Sequence, residues 1–301
     1  MSTEPDPGPV AMPKGKSASW SLGLRVVSGV LFVPLLILLA RAGGLAFLGF
    51  VALQPALGLI EFYRMMRAKG HQPMTWLGHA SAFAVLVLAY RPHTPNAAFL
   101  ATAALMLVLA LALRHPERRN IVENLSVTAF GVLYVGWLSA HFVLLRQLHM
   151  TSGYEPHDGA RLILYAFLVT WSCDIGACFV GRALGRTRPW GAISPRKTLE
   201  GSIGGFVFAI AGAWIGSRTF MHSAAGLPWL RTIDVLAIGA LVGVCGQVGD
   251  LVESLLKRDA ESGDSSDMIP GHGGVLDRFD SLYFGAPIVY YYLRVVVFQI
   301  P

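Results

Sequence analysis

Gly249-Asp250-Leu251-Val252-Glu253-Ser254-Leu255-Leu256-Lys257-Arg258 closes an apolar run that begins near residue 232. A run of roughly 20 apolar residues is what crosses a hydrocarbon core, so the stretch reads as the end of a membrane-spanning helix. Asp250, Glu253, Ser254 and Lys257 stand at i, i+3, i+4 and i+7, on one face of an α-helix. A polar stripe therefore lies along an otherwise apolar rod. At about 1.5 Å per residue, Asp250 sits roughly 10 Å below the charged end. An ionised Asp at a helix centre costs about 2.5 to 3.5 kcal/mol on insertion scales, so acids at this depth need compensation from cations, hydrogen bonds or water.

Beyond Arg258 the chain reads Asp259, Glu261, Asp264 and Asp267 among serines, too polar for lipid, and this segment is expected to be a loop outside the bilayer. It returns through Pro270-Gly271-His272-Gly273-Gly274. Glycines let backbone N–H groups approach an anion. Set between Lys257-Arg258 and Asp277-Arg278, the turn points to phosphate binding. His272 either donates to a phosphate or holds the loop by a backbone hydrogen bond, and both roles stay open. Asp277, Asp280 and Ser281 repeat the i, i+3, i+4 spacing at the start of the last apolar run. Two carboxylates one turn apart suit a hard divalent cation, usually Mg²⁺ when phosphates complete the shell; an acid there also simply favours the helix dipole.

With 54% hydrophobic and 14% charged residues over 301 positions and a mean hydropathy of +0.54, the chain is too apolar for an ordinary soluble domain. Apolar runs fall near 24–40, 44–62, 75–90, 97–113, 125–145, 162–181, 202–222, 232–256 and 282–299. The expected fold is all-α, a polytopic integral membrane protein of about nine transmembrane helices. Positive charge is retained on the cytoplasmic side. One side collects Lys14, Lys16, Arg25, Arg64, Arg67, Lys69, Arg114, Arg118, Arg119, Arg182, Arg186, Arg188, Arg196, Lys197, Lys257, Arg258 and Arg278. The other holds Arg41, Arg91, Arg146, Arg161, Arg218, Arg231 and Arg294. The bias predicts a cytoplasmic N-terminus, and it accounts for the net charge of +6 without a nucleic-acid partner.

Residues 1–19, rich in Pro, Gly and Ser, read as a disordered cytoplasmic tail, and 20–301 as one membrane-embedded domain. Ala40-Arg41-Ala42 imitates a signal-peptide cleavage site, but removing the first helix would break the charge pattern, so no cleavage is expected. Cys173, Cys178 and Cys245 fall within spans, are odd in number and lack metal-ligand spacing, and are expected to be buried small apolar residues. Gly201, Gly204, Gly205, Gly212 and Gly216 would allow close helix approach.

A second polar block precedes the seventh run. Asp174-Ile175-Gly176, then Gly181-Arg182, leads to Ser194-Pro195-Arg196-Lys197-Thr198-Leu199-Glu200-Gly201 and Gly204-Gly205. This block, together with the Ser254 to Ser281 pattern Ser-x-x-Lys-Arg, Asp264, Pro-Gly-His-Gly-Gly-x-x-Asp-Arg-x-Asp-Ser, resembles the signature of the CDP-diacylglycerol synthases, also called phosphatidate cytidylyltransferases. Weaker likenesses occur at Glu61-Phe62-Tyr63 and Tyr134-Val135-Gly136-Trp137, so the resemblance covers about residues 20 to 299. It departs at Gly263, where the family has a lysine.

The resemblance implies transfer of a cytidylyl group from CTP to phosphatidate, giving CDP-diacylglycerol and pyrophosphate. It implies Mg²⁺, with a monovalent cation such as K⁺, and a homodimer. Asp250, Lys257, Arg258, Asp277 and His272 are then the catalytic candidates. Ser194, Lys197, Thr198, Ser254, Gly271, Gly273, Gly274 and Arg278 are the substrate-binding candidates. Asp250 and Asp277 are the expected metal ligands, with Asp174, Asp264 and Asp280 as further ones. The expected location is the bacterial inner membrane with the site facing the cytosol. Gly263 keeps open a relative that cytidylylates or phosphorylates another lipid. An ion-coupled transporter fits less well, because transporter sites lie near the midplane between repeated halves, whereas these acids cluster toward one end and no repeat is evident.

Overall fold

A computed structural model of the protein describes residues 31–91, 106, 110, 120–152, 156–221, 230–261 and 273–300. Every extended element among them is a helix: α1 (Leu31–Ala42), α2 (Gly44–Ala68), α3 (Thr75–Tyr90) and α4 (Ile121–Gly131), which runs through a π-helical stretch, Val132–Trp137, into α5 (Leu138–Ser152). Then follow α6 (Pro156–Leu184), α7 (Leu199–Arg218), α8 (Thr232–Asp259) and α9 (Leu276–Tyr291), the last continued by a π-helical stretch, Tyr292–Val297.

Among the described residues, five helices are long and apolar enough to cross a membrane: Gly44–Ala68, Ile121–Met150, His157–Leu184, Leu199–Arg218 and Thr232–Asp259. Leu31–Ala42 and Thr75–Tyr90 are shorter apolar helices. The apolar run expected at 97–113 falls, but for residues 106 and 110, outside the described residues, as do the expected tail at 1–19 and the segment holding Gly263, Asp264, Gly271 and His272. Cys173 is buried as expected; Cys178 is exposed and Cys245 half-buried, on helices whose outer faces are apolar, and all three thiols are free.

In lipid there is no hydrophobic force between helices, so close packing and hydrogen bonds must hold them. Glycines let α6 and α7 approach. A Cβ on Gly204 would lie 2.5 Å from Val180 Cβ, and one on Gly201 only 2.9 Å from the Ala177 carbonyl oxygen. The glycine-rich run thus serves the close approach read from the sequence. Thr198 caps α7: its extended backbone turns the chain, and its hydroxyl oxygen accepts from Gly201 N at 3.1 Å. Glu200, one residue into the helix, accepts from Arg186 N at 3.0 Å and Thr187 Oγ1 at 2.9 Å, which fixes the loop between α6 and α7.

α8 and α9 run antiparallel and are tied at both ends. Lys257 Nζ meets Asp277 Oδ1 at 2.8 Å at one end. At the other, Asp234 accepts from Arg231 Nε at 2.9 Å and from Tyr292 OH at 3.1 Å. Between these, Gly249 lets α9 close in, since a Cβ there would stand 2.5 Å from the Asp280 carbonyl oxygen. The C-terminal ends of α6 and α8 and the N-terminal ends of α7 and α9 therefore meet at one end of the bundle, and the polar residues gather there.

Candidate functional site

The stripe read on α8 is a stripe in the structure. Lys257 Nζ contacts Glu253 Oε2 at 2.7 Å, one turn back on its own helix, and Asp277 Oδ1 at 2.8 Å on α9. Asp277 also accepts from Gly274 N at 3.0 Å, so its two oxygens clasp Lys257 on one side and the turn before α9 on the other. Asp250 pairs with Lys197 at 2.8 Å, bringing the loop before α7 over α8. Arg258 reaches the same loop, donating from Nε to the Ile193 carbonyl at 3.2 Å. Ser194 is half-buried beside Ile193, Thr198 is the buried cap, and Ser254 is half-buried on α8.

Deeper in the cleft lie the acids. One carboxylate oxygen each from Asp250, Glu253 and Asp280 fall within 4.8 Å of one another. Asp174, open to the cleft on α6, accepts from Ser281 Oγ at 3.0 Å. Glu253 is only 2% exposed, and its Oε1 has no hydrogen-bond partner among the described residues. Two unit charges at that separation repel by about 3 kcal/mol at an effective dielectric constant near 20. Among the described residues, Lys197 contacts Asp250 and Lys257 contacts Glu253 and Asp277, two ammonium groups beside the five carboxylates Asp174, Asp250, Glu253, Asp277 and Asp280. That cluster of hard oxygen donors at the rim of an apolar bundle could hold a cation.

The structure groups the expected acids in two ways. Asp250 and Asp280 share the oxygen cluster with Glu253, whereas Asp277 engages Lys257 and the Gly274 amide. Arg278 is exposed at the mouth, and Gly273 takes a left-handed φ of 78° that only a glycine adopts freely.

Sequence reasoning passed over two acids as site residues. Glu253 stood on the stripe, and its spacing was the signal. Glu61 on α2 is fully buried; its Oε1 accepts from Val275 N at 2.9 Å and its Oε2 from Leu276 N at 3.0 Å. It entered the sequence reading only through the weak likeness at Glu61-Phe62-Tyr63. The amides of Gly274, Val275 and Leu276 are thereby all taken up by the protein's own carboxylates.

Comparison with known proteins finds relatives over most of the chain. The model of the cytidylyltransferase family matches residues 23–296. A phosphatidate cytidylyltransferase from Synechocystis sp. is 35% identical over 293 residues, 89% of this chain and 95% of the relative. One from Bacillus subtilis is 34% identical over 272 residues, 89% of this chain and 96% of the relative. A third, from Haemophilus influenzae, is 38% identical over 148 residues, 49% of this chain and 50% of the relative.

Proposed function

The chain belongs to the cytidylyltransferase family, and on that premise we propose that it joins CTP to phosphatidate, giving CDP-diacylglycerol and pyrophosphate for phospholipid synthesis. The observation that carries the reading is the cluster of Asp250, Glu253 and Asp280 with Lys197 and Lys257 beside it, at the bundle end where charged and apolar surfaces meet. A polar nucleotide reaches such a site from water and a lipid phosphate from the bilayer.

The reaction sets two anions against each other. A phosphatidate oxygen attacks the α-phosphorus of CTP, and the bond to the departing pyrophosphate breaks. The orphaned Oε1 of Glu253 and the convergence of three carboxylates fit a magnesium ion, which Asp250, Glu253 and Asp280 would hold. When bound, that ion neutralises phosphate charge. Lys197 is poised on a capped, pinned loop and exchanges Asp250 for a substrate phosphate. Lys257 is held between Glu253 and Asp277 so that its charge faces the cleft. Arg258 steadies the loop over α8 through the Ile193 carbonyl, and Arg278 at the mouth meets the triphosphate. His272, Gly271 and Asp264 lie outside the described residues, and the family resemblance assigns them to the nucleotide site, with Mg²⁺ accompanied by a monovalent cation such as K⁺. Asp174, through Ser281, orients the start of α9 and serves as a further ligand.

We place the protein in the bacterial inner membrane as a homodimer, with nine spans, its N-terminus inside and the site facing the cytosol, where CTP is. The grouping of Arg64, Arg67 and Lys69 with the bases around 182–197 and 257–278 supports that orientation. The test is purified protein in detergent with labelled CTP, Mg²⁺ and a panel of lipid phosphates. Label extractable with lipid only when phosphatidate is present is the expected result. Labelling confined to isoprenoid or other phosphates overturns the substrate assignment.

A further inference from the structure

The proposed transfer leaves one buried charge beside the site unused. We infer that Glu61 is a positioning residue, which fixes the start of α9 and through it the placement of Asp277 and Asp280 against α8. The inference rests on the transfer proposed above.

A fully buried carboxylate is costly unless hydrogen-bonded. Glu61 is held by the leading N–H groups of a helix, where the backbone dipole favours negative charge. It takes one amide on each oxygen, Val275 N at 2.9 Å and Leu276 N at 3.0 Å, a two-pronged grip that fixes both the height and the rotation of the helix start.

A second grip lies deeper. Gln54 donates to the hydroxyl of the buried Tyr283, and Ser139 on α5 donates to Gln54 Oε1. Residues 54 and 61 on α2 are seven apart, as are 276 and 283 on α9, so the antiparallel helices are pinned at two points roughly 10 Å apart. Between the pins stand Asp277, Asp280 and Ser281, whose partners are on α8 and α6: Lys257, the Asp250–Glu253 pair and Asp174. α2 thus grips α9 from one side while its reactive groups face the other helices. A slip of one residue would move each acid by about 1.5 Å, and a misplacement of about 1 Å can cost on the order of 100-fold in rate.

The test uses two variants. Glu61→Gln keeps the size but sets an NH₂ against one of the two amides; Glu61→Asp keeps the charge but shortens the reach. Each is assayed per folded molecule, with the folded fraction measured by thermal unfolding in detergent. The expected result is a kcat lower by about 10- to 100-fold with KM for CTP little changed. Where one variant fails to fold, the other decides. The second readout needs no substrate. A Cβ at Gly246 lies 3.9 Å from Ser281 Cβ, within the range of a disulfide. Gly246→Cys with Ser281→Cys, in a chain lacking the three native cysteines, should cross-link readily with Glu61 in place and poorly with Gln or Asp there. Wild-type kcat or unchanged cross-linking in the folded variants overturns the positioning role. Failure of the transfer proposal itself appears separately, as a wild-type protein inactive toward phosphatidate whose cross-linking still depends on Glu61.

Discussion

Lys257 is the residue on which the site's charge balance turns, because one ammonium group contacts both Glu253 and Asp277. Removing one partner of a buried ion pair costs about 3 to 5 kcal/mol, since the other is left uncompensated. Lys257→Met is therefore expected to lower the unfolding temperature in detergent as well as activity; a variant of unchanged stability would show that the two acids find other partners. Asp250→Asn and Asp280→Asn, by contrast, remove charge from an over-acidic cluster. Each is expected to fold and insert normally and to lose at least about 100-fold in turnover, as removal of a transition-state interaction worth about 3 kcal/mol requires. Near wild-type turnover at saturating Mg²⁺ in either would remove the cluster from the mechanism. Asp250 and Lys257 stood out because spacing on one helix is a local property, whereas Lys197 and the role given to Asp277 came from the resemblance to a known family. Glu61 did not stand out, since its partners lie more than 200 positions along the chain, and helical periodicity says nothing about which face of α2 meets α9.

Among the elements, the juxtaposition of α8 and α9 decides whether the acids meet. Gly249→Leu places a branched side chain where a Cβ alone would stand 2.5 Å from the Asp280 carbonyl oxygen. It is expected to push the helices apart and abolish activity while membrane insertion persists, which fractionation and turnover measured together would check. Full activity would mean that the contact is dispensable. Among the described residues, two apolar runs undershot their helices: 162–181 became Pro156–Leu184 and 125–145 became a continuous rod from Ile121 to Ser152. Hydropathy reports the part of a helix in hydrocarbon, whereas the hydrogen-bond ladder continues beyond it into water. The π-helical stretch Val132–Trp137 left no trace in the pattern, because it changes the backbone register without changing residue type.

For the whole molecule, the gathering of four helix ends at one end of the bundle must coincide with one side of the membrane. A cysteine at Arg188, in the loop between α6 and α7 and in a background lacking Cys173, Cys178 and Cys245, is expected to resist an impermeant thiol reagent in intact cells and to react after lysis. Labelling from outside would reverse the orientation and deny CTP access to the site. The central claim is that the acid cluster directs attack at the α-phosphorus of CTP, and it is tested most directly by following two labels in one preparation. With phosphatidate and Mg²⁺, CTP labelled at the α-phosphorus should place its label in the lipid, and CTP labelled at the γ-phosphorus should release it as pyrophosphate. Both signals should vanish in Asp250→Asn. Gamma label in the lipid would make the protein a lipid kinase, and pyrophosphate release that survives Asp250→Asn would contradict the role assigned to the cluster.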